Sequence, residues 1–244
     1  MNNKIFNHIV EKLKDTFHLA KYDEIRTAFG ADTDFEELPW TPECKLQFQQ
    51  ELAATFNVPV ELEGSVADLV DRTDRRYLSW FFGEIWQPRT ETYHWTGYRI
   101  AEEICRMNPR RVLDVGCGYN PFKGRIPNLI GIDPYNNCAD LMVDILDYHV
   151  EPASHDHVIA LGSINFNSRE EIEERFAAVV NLLAPNGHLW MRCNPGHSHK
   201  NRPWIEIFPW SVDVAHELSK KYNLIIKTIK QDLDRLFFLF ERSA

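Results

Sequence analysis

The chain has 244 residues, of which 44% are hydrophobic and 26% are charged. This is enough apolar material for a real core, and the length allows one large domain or a large and a small one. No run of about 18 apolar residues occurs, so we expect no membrane span. The N-terminus lacks the apolar core of a signal peptide. Five scattered cysteines without a C-x-x-C pair favour a reduced compartment such as the cytoplasm.

The net charge of −9 is unevenly distributed along the chain. Residues 1–75 carry 15 acidic and 8 basic side chains, a net charge of −7, and the rest carries only −2. An acidic front segment is repelled by a phosphate backbone, so it disfavours nucleic-acid binding by this part. A protein partner for the acidic segment stays open.

The first block, residues 1–78, is predicted to be a small helical domain. One helix is expected at about 2–18, and a second is expected to begin at Pro42 and run to about Phe56. Ser65 and Asp68 have the spacing of a capping box, which predicts a third helix. Residues 29–73 also resemble an acyl carrier protein. Carriers attach their prosthetic group to a Ser that opens helix two, where this chain has Thr41-Pro42, so we expect no such group.

The second block, residues 79–108, is rich in aromatic side chains and leads into a packing helix. Its rings are Trp80, Phe81, Phe82, Trp86, Tyr93 and Trp95. Two interpretations stay open for them, a hydrophobic seam between domains, which is favoured, and a surface that stacks on a ligand.

The third block, residues 109–244, alternates short apolar runs with helical periodicity, which predicts an α/β domain with a mainly parallel sheet. Strands are expected at 112–115, 129–132, 141–143, 158–161 and 188–193. A helix capped by Ser168 is expected to end at Pro185-Asn-Gly187. The last two runs, 224–230 and 235–241, predict an antiparallel hairpin at the edge of the sheet.

A Gly-x-Gly turn at Gly116–Gly118 follows the first strand of the third block, and Asp133 follows the second. Gly118 and Asp133 are only 15 residues apart, and Pro121, Gly124 and Pro127 break any helix between them, so we expect an irregular loop. A pyrophosphate would lack the helix N-terminus that normally faces it. S-adenosylmethionine, which carries no phosphate, would not need that helix.

The ordered motifs of residues 95–244 resemble those of class I S-adenosylmethionine-dependent methyltransferases, which have a Rossmann-like sheet. VLDVGCG (112–118) is similar to their first motif, GIDP (131–134) to their ribose-binding motif, MVDILD (142–147) to the adenine-binding segment, and LLAPNGHLWMR (182–192) to the start of strand five. ALGSINFNS (160–168), CNPG (193–196) and IFPWS (207–211) also resemble compact members encoded by tailed bacteriophages, which implies a host cytoplasm or a virion.

The resemblance implies S-adenosylmethionine as cofactor and assigns roles to residues. Asp114 would meet the ammonium, Asp133 the ribose hydroxyls, Asp144 the adenine amino group and Ile145 the ring. Further cofactor-binding residues would be Gly116, Cys117, Gly118, Pro134, Gly162 and Ser163. Because the loop is short, we also expect Lys123 and Arg125 to point over the methionine tail and meet its carboxylate.

The methyl acceptor is not identified by the sequence. An in-line displacement depends mainly on holding the acceptor in place, so no catalytic dyad is required. Asn165, Asn194 and His197 are candidates to orient the acceptor, as is Asn167. A basic cluster at the cleft rim (Lys123, Arg125, Arg192, Lys200 and Arg202) would receive an anionic acceptor, or it is a plain solvated rim.

The histidine pairs His155/His157 and His197/His199 lack a third ligand at suitable spacing, so no metal site is predicted and these loop histidines are expected to be solvated. Two functions stay open. One is methyl transfer to an unidentified acceptor by an enzyme with a helical accessory domain. The other is a non-catalytic structural or interaction protein, such as a virion component, that keeps the methyltransferase fold.

Overall fold

The structure is a computed structural model that describes residues 1–17, 29–86, 93, 95–197 and 203–244. It divides into two compact units: Met1–Phe81 with Ser198–Glu206, and Phe82–His197 with Ile207–Ala244. No described helix is long and apolar enough to cross a membrane.

The first unit is built on three helices, α1 (Asn3–Thr16), α2 (Pro42–Phe56) and α3 (Val66–Trp80). Asn2 caps α1, Thr41 caps α2 with Pro42 in its first turn, and Ser65 forms the expected capping box with Asp68. The predicted helix starts in this block are therefore confirmed.

Residues 204–206 belong to this first unit, although the chain before and after their segment belongs to the second. The Trp204 ring lies 5.0 Å from the His8 ring and 4.8 Å from the Phe56 ring, measured between centroids. Asn2 Nδ2 donates to the Trp204 carbonyl (2.7 Å), and Lys4 Nζ donates to the Ile205 carbonyl (3.1 Å). The start of α1 therefore holds residues 204 and 205 by their backbone as well as by packing.

The second unit is a six-stranded mixed sheet with helices on both faces. Its strands are β1 (Val112–Val115), β2 (Leu129–Ile132), β3 (His155–Leu161), β4 (Leu183–Cys193), β5 (Leu224–Asp232) and β6 (Arg235–Arg242). Its helices are a π-helix (Phe81–Ile85, shared with the end of the first unit), α4 (Tyr98–Arg106), a 3₁₀ turn (Ile145–Asp147), α5 (Arg169–Leu182) and α6 (Val212–Lys221).

The strand order is β2-β1-β3-β4-β6-β5. The first four strands pair in parallel, and β6 pairs antiparallel with both β4 and β5, so the predicted terminal hairpin is confirmed. Because β1 to β4 are parallel, the loops that follow them meet at one edge of the sheet, which we call the carboxyl edge.

Two predictions about this unit are wrong. The run 141–143 forms no strand; Leu141 makes one isolated bridge to Ile132, and its side chain is 47% exposed. Val143 packs against the core, but Leu141 and Met142 are exposed, so the run has no continuous buried face along the sheet edge. Helix α5 ends at Leu182 rather than at Pro185-Asn-Gly187, which instead lies in β4 next to an irregular register against β3.

Candidate functional site

The glycine turn, residues 116–118, sits at the carboxyl edge between β1 and β2. Gly116 and Gly118 have φ values of +65° and +55°, in the left-handed region that favours glycine. A Cβ on Gly116 would lie 2.3 Å from Ser163 Cβ, so no side chain fits there. The amides of Gly116 and Cys117 both donate to the Ile132 carbonyl, at 2.8 and 3.0 Å. The turn therefore presents bare backbone between the ends of three strands.

The Asp133 carboxylate, 6% exposed, holds two loops together. Its Oδ2 accepts the Gly118 amide at 2.9 Å, and its Oδ1 accepts the amides of Tyr135 and Asn136 at 2.8 and 2.9 Å. A carboxylate offers about four lone-pair positions, so three backbone bonds leave about one for a ligand hydroxyl.

Asp114 lies on β1 just before the glycine turn and is 3% exposed. Burial, together with the nearby Asp133 carboxylate, raises the pKa of Asp114 to about 8. Within the described part of the chain, no hydrogen bond reaches its carboxyl group. A cationic group beside Asp114 would remove the reason for this shift, because it would stabilise the charged form.

The segment 119–127 is a series of turns with no helix, as predicted. The expectation that Lys123 and Arg125 are free to point over the methionine tail is wrong. Lys123 Nζ bonds Asp140 Oδ1 at 2.6 Å, and the Arg125 guanidinium lies over the Tyr98 ring at 3.9 Å. Both charges therefore have partners close in space, Asp140 beside β2 and Tyr98 on α4, which their sequence position did not indicate.

Asp144 accepts two hydrogen bonds from Arg175 Nη1, at 2.5 and 2.7 Å, and one from the Leu146 amide at 3.0 Å. Ile145 is 5% exposed and belongs to the core under the sheet. Sequence reasoning missed the ion pair. The sequence did contain an indication of it. Arg175 is three residues after Ile172 and four before Val179, which places it on the buried face of α5.

Asn165 and Asn194, which we call the amide clamp, join the loops after β3 and β4. Asn165 Oδ1 accepts the Asn194 amide at 2.9 Å, and its Nδ2 donates to the Arg192 carbonyl at 3.4 Å. Asn194 Oδ1 accepts the amides of Gly196 and His197 at 3.0 and 2.7 Å, and its Nδ2 donates to the His197 carbonyl at 2.9 Å. Both amides are therefore occupied by backbone, while the His197 side chain is exposed.

The remaining predicted cofactor residues also lie at the carboxyl edge. Gly162, with φ +108°, and Ser163 form the turn after β3, and Pro134 is half-buried after Asp133. Ser163 Oγ is buried and has no hydrogen-bond partner among the residues that the structure describes, so a ligand or a water would satisfy it. Cys117 is buried, and burial raises the pKa of its thiol, so it stays protonated and unreactive.

An aromatic cluster from the start of the second unit packs on these loops. The Phe82 ring lies nearly parallel to the Tyr135 ring, with centroids 6.3 Å apart, and 5.1 Å from the Phe166 ring. Trp86 lies 5.7 Å from Phe82, and its Cζ3 is 3.4 Å from where a Cβ on Gly118 would stand. Within this unit, part of the aromatic segment thus lies at the glycine turn.

His155 and His157 lie buried on β3, so the expectation of solvated loop histidines is wrong for this pair. His157 stacks on His188 at 5.2 Å and accepts a bond from Trp190 Nε1, and burial lowers its pKa to about 4. In the described part of the chain no three His, Cys, Asp or Glu side chains are grouped to hold a metal. His199, Lys200 and Arg202 lie outside the described residues.

No family model and no curated protein sequence matches this chain. Solved structures do resemble it. One is a chain of the complex between the Haloferax volcanii Trm112 methyltransferase activator and a protein proposed to be a methyltransferase: 17% identity, TM-score 0.50, covering 62% of this chain and 91% of that one. This similarity shows the fold: the second unit has the Rossmann-like fold of that chain, a mixed sheet with antiparallel C-terminal strands.

Two further similarities have lower TM-scores. A Burkholderia thailandensis 1,6-didemethyltoxoflavin-N1-methyltransferase with bound S-adenosylhomocysteine is 13% identical, with TM-score 0.49 and coverage of 60% of this chain and 78% of that one. The N-methyltransferase NodS from Bradyrhizobium japonicum, also with S-adenosylhomocysteine, is 14% identical, with TM-score 0.45 and coverage of 61% and 88%.

Proposed function

We propose that this chain binds S-adenosylmethionine at the carboxyl edge and transfers its methyl group to an acceptor. The observation that carries the proposal is a pair of buried carboxylates, Asp114 and Asp133, on either side of a glycine turn that no helix follows. A pyrophosphate would bring negative charge beside the carboxyl groups of Asp114 and Asp133 and would lack a helix N-terminus. A phosphate-free ligand with cationic groups suits the same residues.

The residues of the site fit this ligand. Asp114 would hold its ammonium, and Asp133, already fixed by three backbone amides, would orient a ribose hydroxyl. The missing side chain at Gly116 lets Ser163 pack directly against the turn, and the Ser163 Oγ, which has no partner among the described residues, is available for a hydrogen bond to a ligand. When bound, S-adenosylmethionine supplies a methyl group on a positively charged sulfur.

The chain's own contribution to such a reaction is positioning. The amide clamp fixes the loops after β3 and β4, because each amide is bonded to backbone on the other loop or its own. Asn165 and Asn194 therefore shape the acceptor side of the edge rather than touch the acceptor, and exposed His197 stays the candidate for direct contact. A rigid edge of this kind lowers the entropic cost of an in-line displacement.

Methyl transfer is tested with labelled S-adenosylmethionine and a lysate of the producing cell, with Asp133→Ala as the matched control. We expect label in an acceptor with the wild-type chain and none above background with the variant. Cofactor binding without any transfer would favour the non-catalytic alternative, a structural or interaction protein with a retained cofactor site.

For the first unit we propose an accessory role, with the acidic helices as a surface for a protein partner and without a covalent carrier group. The Thr41 hydroxyl accepts the Cys44 amide at 3.2 Å as the cap of α2, and Pro42 follows it. Intact mass after co-expression with a phosphopantetheinyl transferase checks this. We expect an unchanged mass, and a modified Thr41 would contradict the proposal.

A further inference from the structure

Phe82 and Trp86, which we call the aromatic wall, touch each of the first three loops of the carboxyl edge. Phe82 packs on Tyr135 in the loop after β2 and on Phe166 in the loop after β3. Trp86 packs on Phe82 and reaches Gly118 in the loop after β1. The wall therefore lies along the loops that follow β1, β2 and β3, of which the second carries Asp133.

Gly83 allows the wall to come this close. A Cβ on Gly83 would lie 2.9 Å from the Tyr135 carbonyl oxygen, a backbone atom that cannot swing away. The Tyr135 amide is itself bonded to Asp133 Oδ1 at 2.8 Å, so the loop under Gly83 is fixed by the site. Gly83 sits in the one-turn π-helix Phe81–Ile85, a rare backbone form that is frequent at functional sites.

The position of Trp86 relative to the two carboxylates indicates which part of a ligand it meets. The Trp86 ring lies 3.4 Å from where a Cβ on Gly118 would stand, and the Gly118 amide is bonded to Asp133, the residue assigned to the ribose. Asp114, assigned to the ammonium, lies on the strand that leads into the same turn. In S-adenosylmethionine the sulfur joins the amino-acid tail to the ribose, so a group beside the glycine turn and Asp133 lies where the sulfur passes.

We propose that Trp86, supported by Phe82 and placed by Gly83, is a specificity-determining residue that contacts the positively charged sulfur. The inference rests on the proposed function and deepens it. The face of an indole ring attracts a cation, and Trp is the strongest of the aromatic residues in this respect. The contact makes the site prefer the sulfonium of S-adenosylmethionine to the neutral thioether of S-adenosylhomocysteine, which favours exchange of product for fresh cofactor.

The test compares the affinities of both ligands by calorimetry in the wild type, Trp86→Leu and Trp86→Phe. Loss of a cation–π contact should weaken S-adenosylmethionine by roughly three- to thirtyfold in Trp86→Leu. Loss of plain packing affects both ligands alike, so the ratio of the two dissociation constants isolates the charge. We expect this ratio to change by about threefold or more in Trp86→Leu and by less than about twofold in Trp86→Phe.

The outcomes separate this inference from the proposed function. If the wild type binds neither ligand, the proposed function fails. If the wild type binds both ligands and the ratio of their dissociation constants is unchanged in Trp86→Leu, Trp86 does not discriminate by the charge on sulfur and the inference is overturned. Trp86→Met, which keeps bulk without a ring, gives the same comparison should the leucine variant not fold.

Gly83→Ala tests the positioning step. The new Cβ should move Phe82 and Trp86 away from the Tyr135 carbonyl. We therefore expect both ligands to bind about tenfold more weakly. A cooperative transition in thermal melting should show that the variant is still folded. Gly30→Ala is the matched control, because nothing lies within 4 Å of the Cβ it would add. Unchanged affinity in Gly83→Ala would overturn the role of the close approach.

Discussion

The carboxyl edge of the sheet has two halves that differ in how their polar groups are satisfied. In the half formed by the end of β1 and the loop after β2, Asp114 is buried without a partner among the described residues, and the nearby Asp133 carboxylate disfavours its ionisation. In the loops after β3 and β4, the side-chain amides of Asn165 and Asn194 are all bonded to backbone. The first half contains a buried carboxyl group whose charged form a cationic ligand would stabilise. In the second half the side-chain amides already have hydrogen-bond partners, and these bonds make the loops rigid.

The largest effect is expected from Asp133→Ala in the first half. The variant loses the acceptor of three backbone amides, at 2.8 to 2.9 Å, together with the proposed ribose contact. We expect the free energy of unfolding to fall by about 2–4 kcal/mol and S-adenosylmethionine affinity to fall by about a hundredfold or more. Chemical denaturation and calorimetry measure the two losses. Asp147→Ala, at an exposed position of the 3₁₀ turn, is the control.

Asp114→Asn should separate binding from stability. Since the pKa of Asp114 is raised from 3.8 to about 8, the folded protein binds more protons than the unfolded chain between these values. The contribution of Asp114 to stability is therefore full below about pH 4 and is lost as the pH rises towards 8. The neutral Asn variant should be more stable than the wild type at pH 7 by up to about 4 kcal/mol, with weaker cofactor binding.

Thermal or denaturant unfolding at several pH values checks this. The stability difference between Asp114→Asn and the wild type should grow from pH 5 to pH 8. A constant difference across that range would show that Asp114 is already ionised in the folded protein and that burial does not raise its pKa.

Asn194→Ala addresses the second half of the edge. It leaves the amides of Gly196 and His197 without their acceptor, and since each such bond contributes about 0.5–1.5 kcal/mol, the free energy of unfolding should fall by about 1–3 kcal/mol. Cofactor affinity should stay within about threefold, because the first half of the edge is untouched. A loss of cofactor binding larger than that seen in Asp133→Ala would reverse the roles of the two halves.

The smallest effect is expected from the double substitution Lys123→Ala with Arg125→Ala. Lys123 is paired with Asp140 on the surface, with 54% of its side chain exposed, and Arg125 lies over Tyr98. Such exposed contacts contribute about 1 kcal/mol or less, and neither cation is placed at the site. Cofactor affinity should change by less than about twofold, in place of the loss that the loop position alone suggested. A tenfold loss of cofactor affinity would instead show that Lys123 or Arg125 contributes to cofactor binding.

Much of the fold was predictable, because it depends on local patterns. Structure that depends on only a few neighbouring residues includes the turn at the glycine pair, the helix caps Thr41 and Ser65, and the terminal hairpin. What the sequence did not predict depends on contacts between distant residues. Lys123 lies 17 residues from Asp140, and Asp144 lies 31 from Arg175.

The candidate site divides in the same way. The buried carboxylates and the glycine turn follow from strand ends and could be identified in advance. The amide clamp could not, because Asn165 and Asn194 are 29 residues apart and an asparagine in a loop serves equally well as a ligand to substrate or as a partner for backbone. Trp204 shows the same limit, since only the folded chain brings it to His8 and Phe56 in the first unit.

The most direct test of the account is the number of protons released when S-adenosylmethionine binds at pH 7. Calorimetry in two buffers with different ionisation enthalpies measures it. If a cationic ligand relieves the buried carboxylate pair, Asp114 should ionise on binding and about one proton should leave the wild-type protein. Asp114→Asn should release none. The absence of saturable heat at millimolar ligand, or equal heats in both buffers for the wild type, would contradict the account.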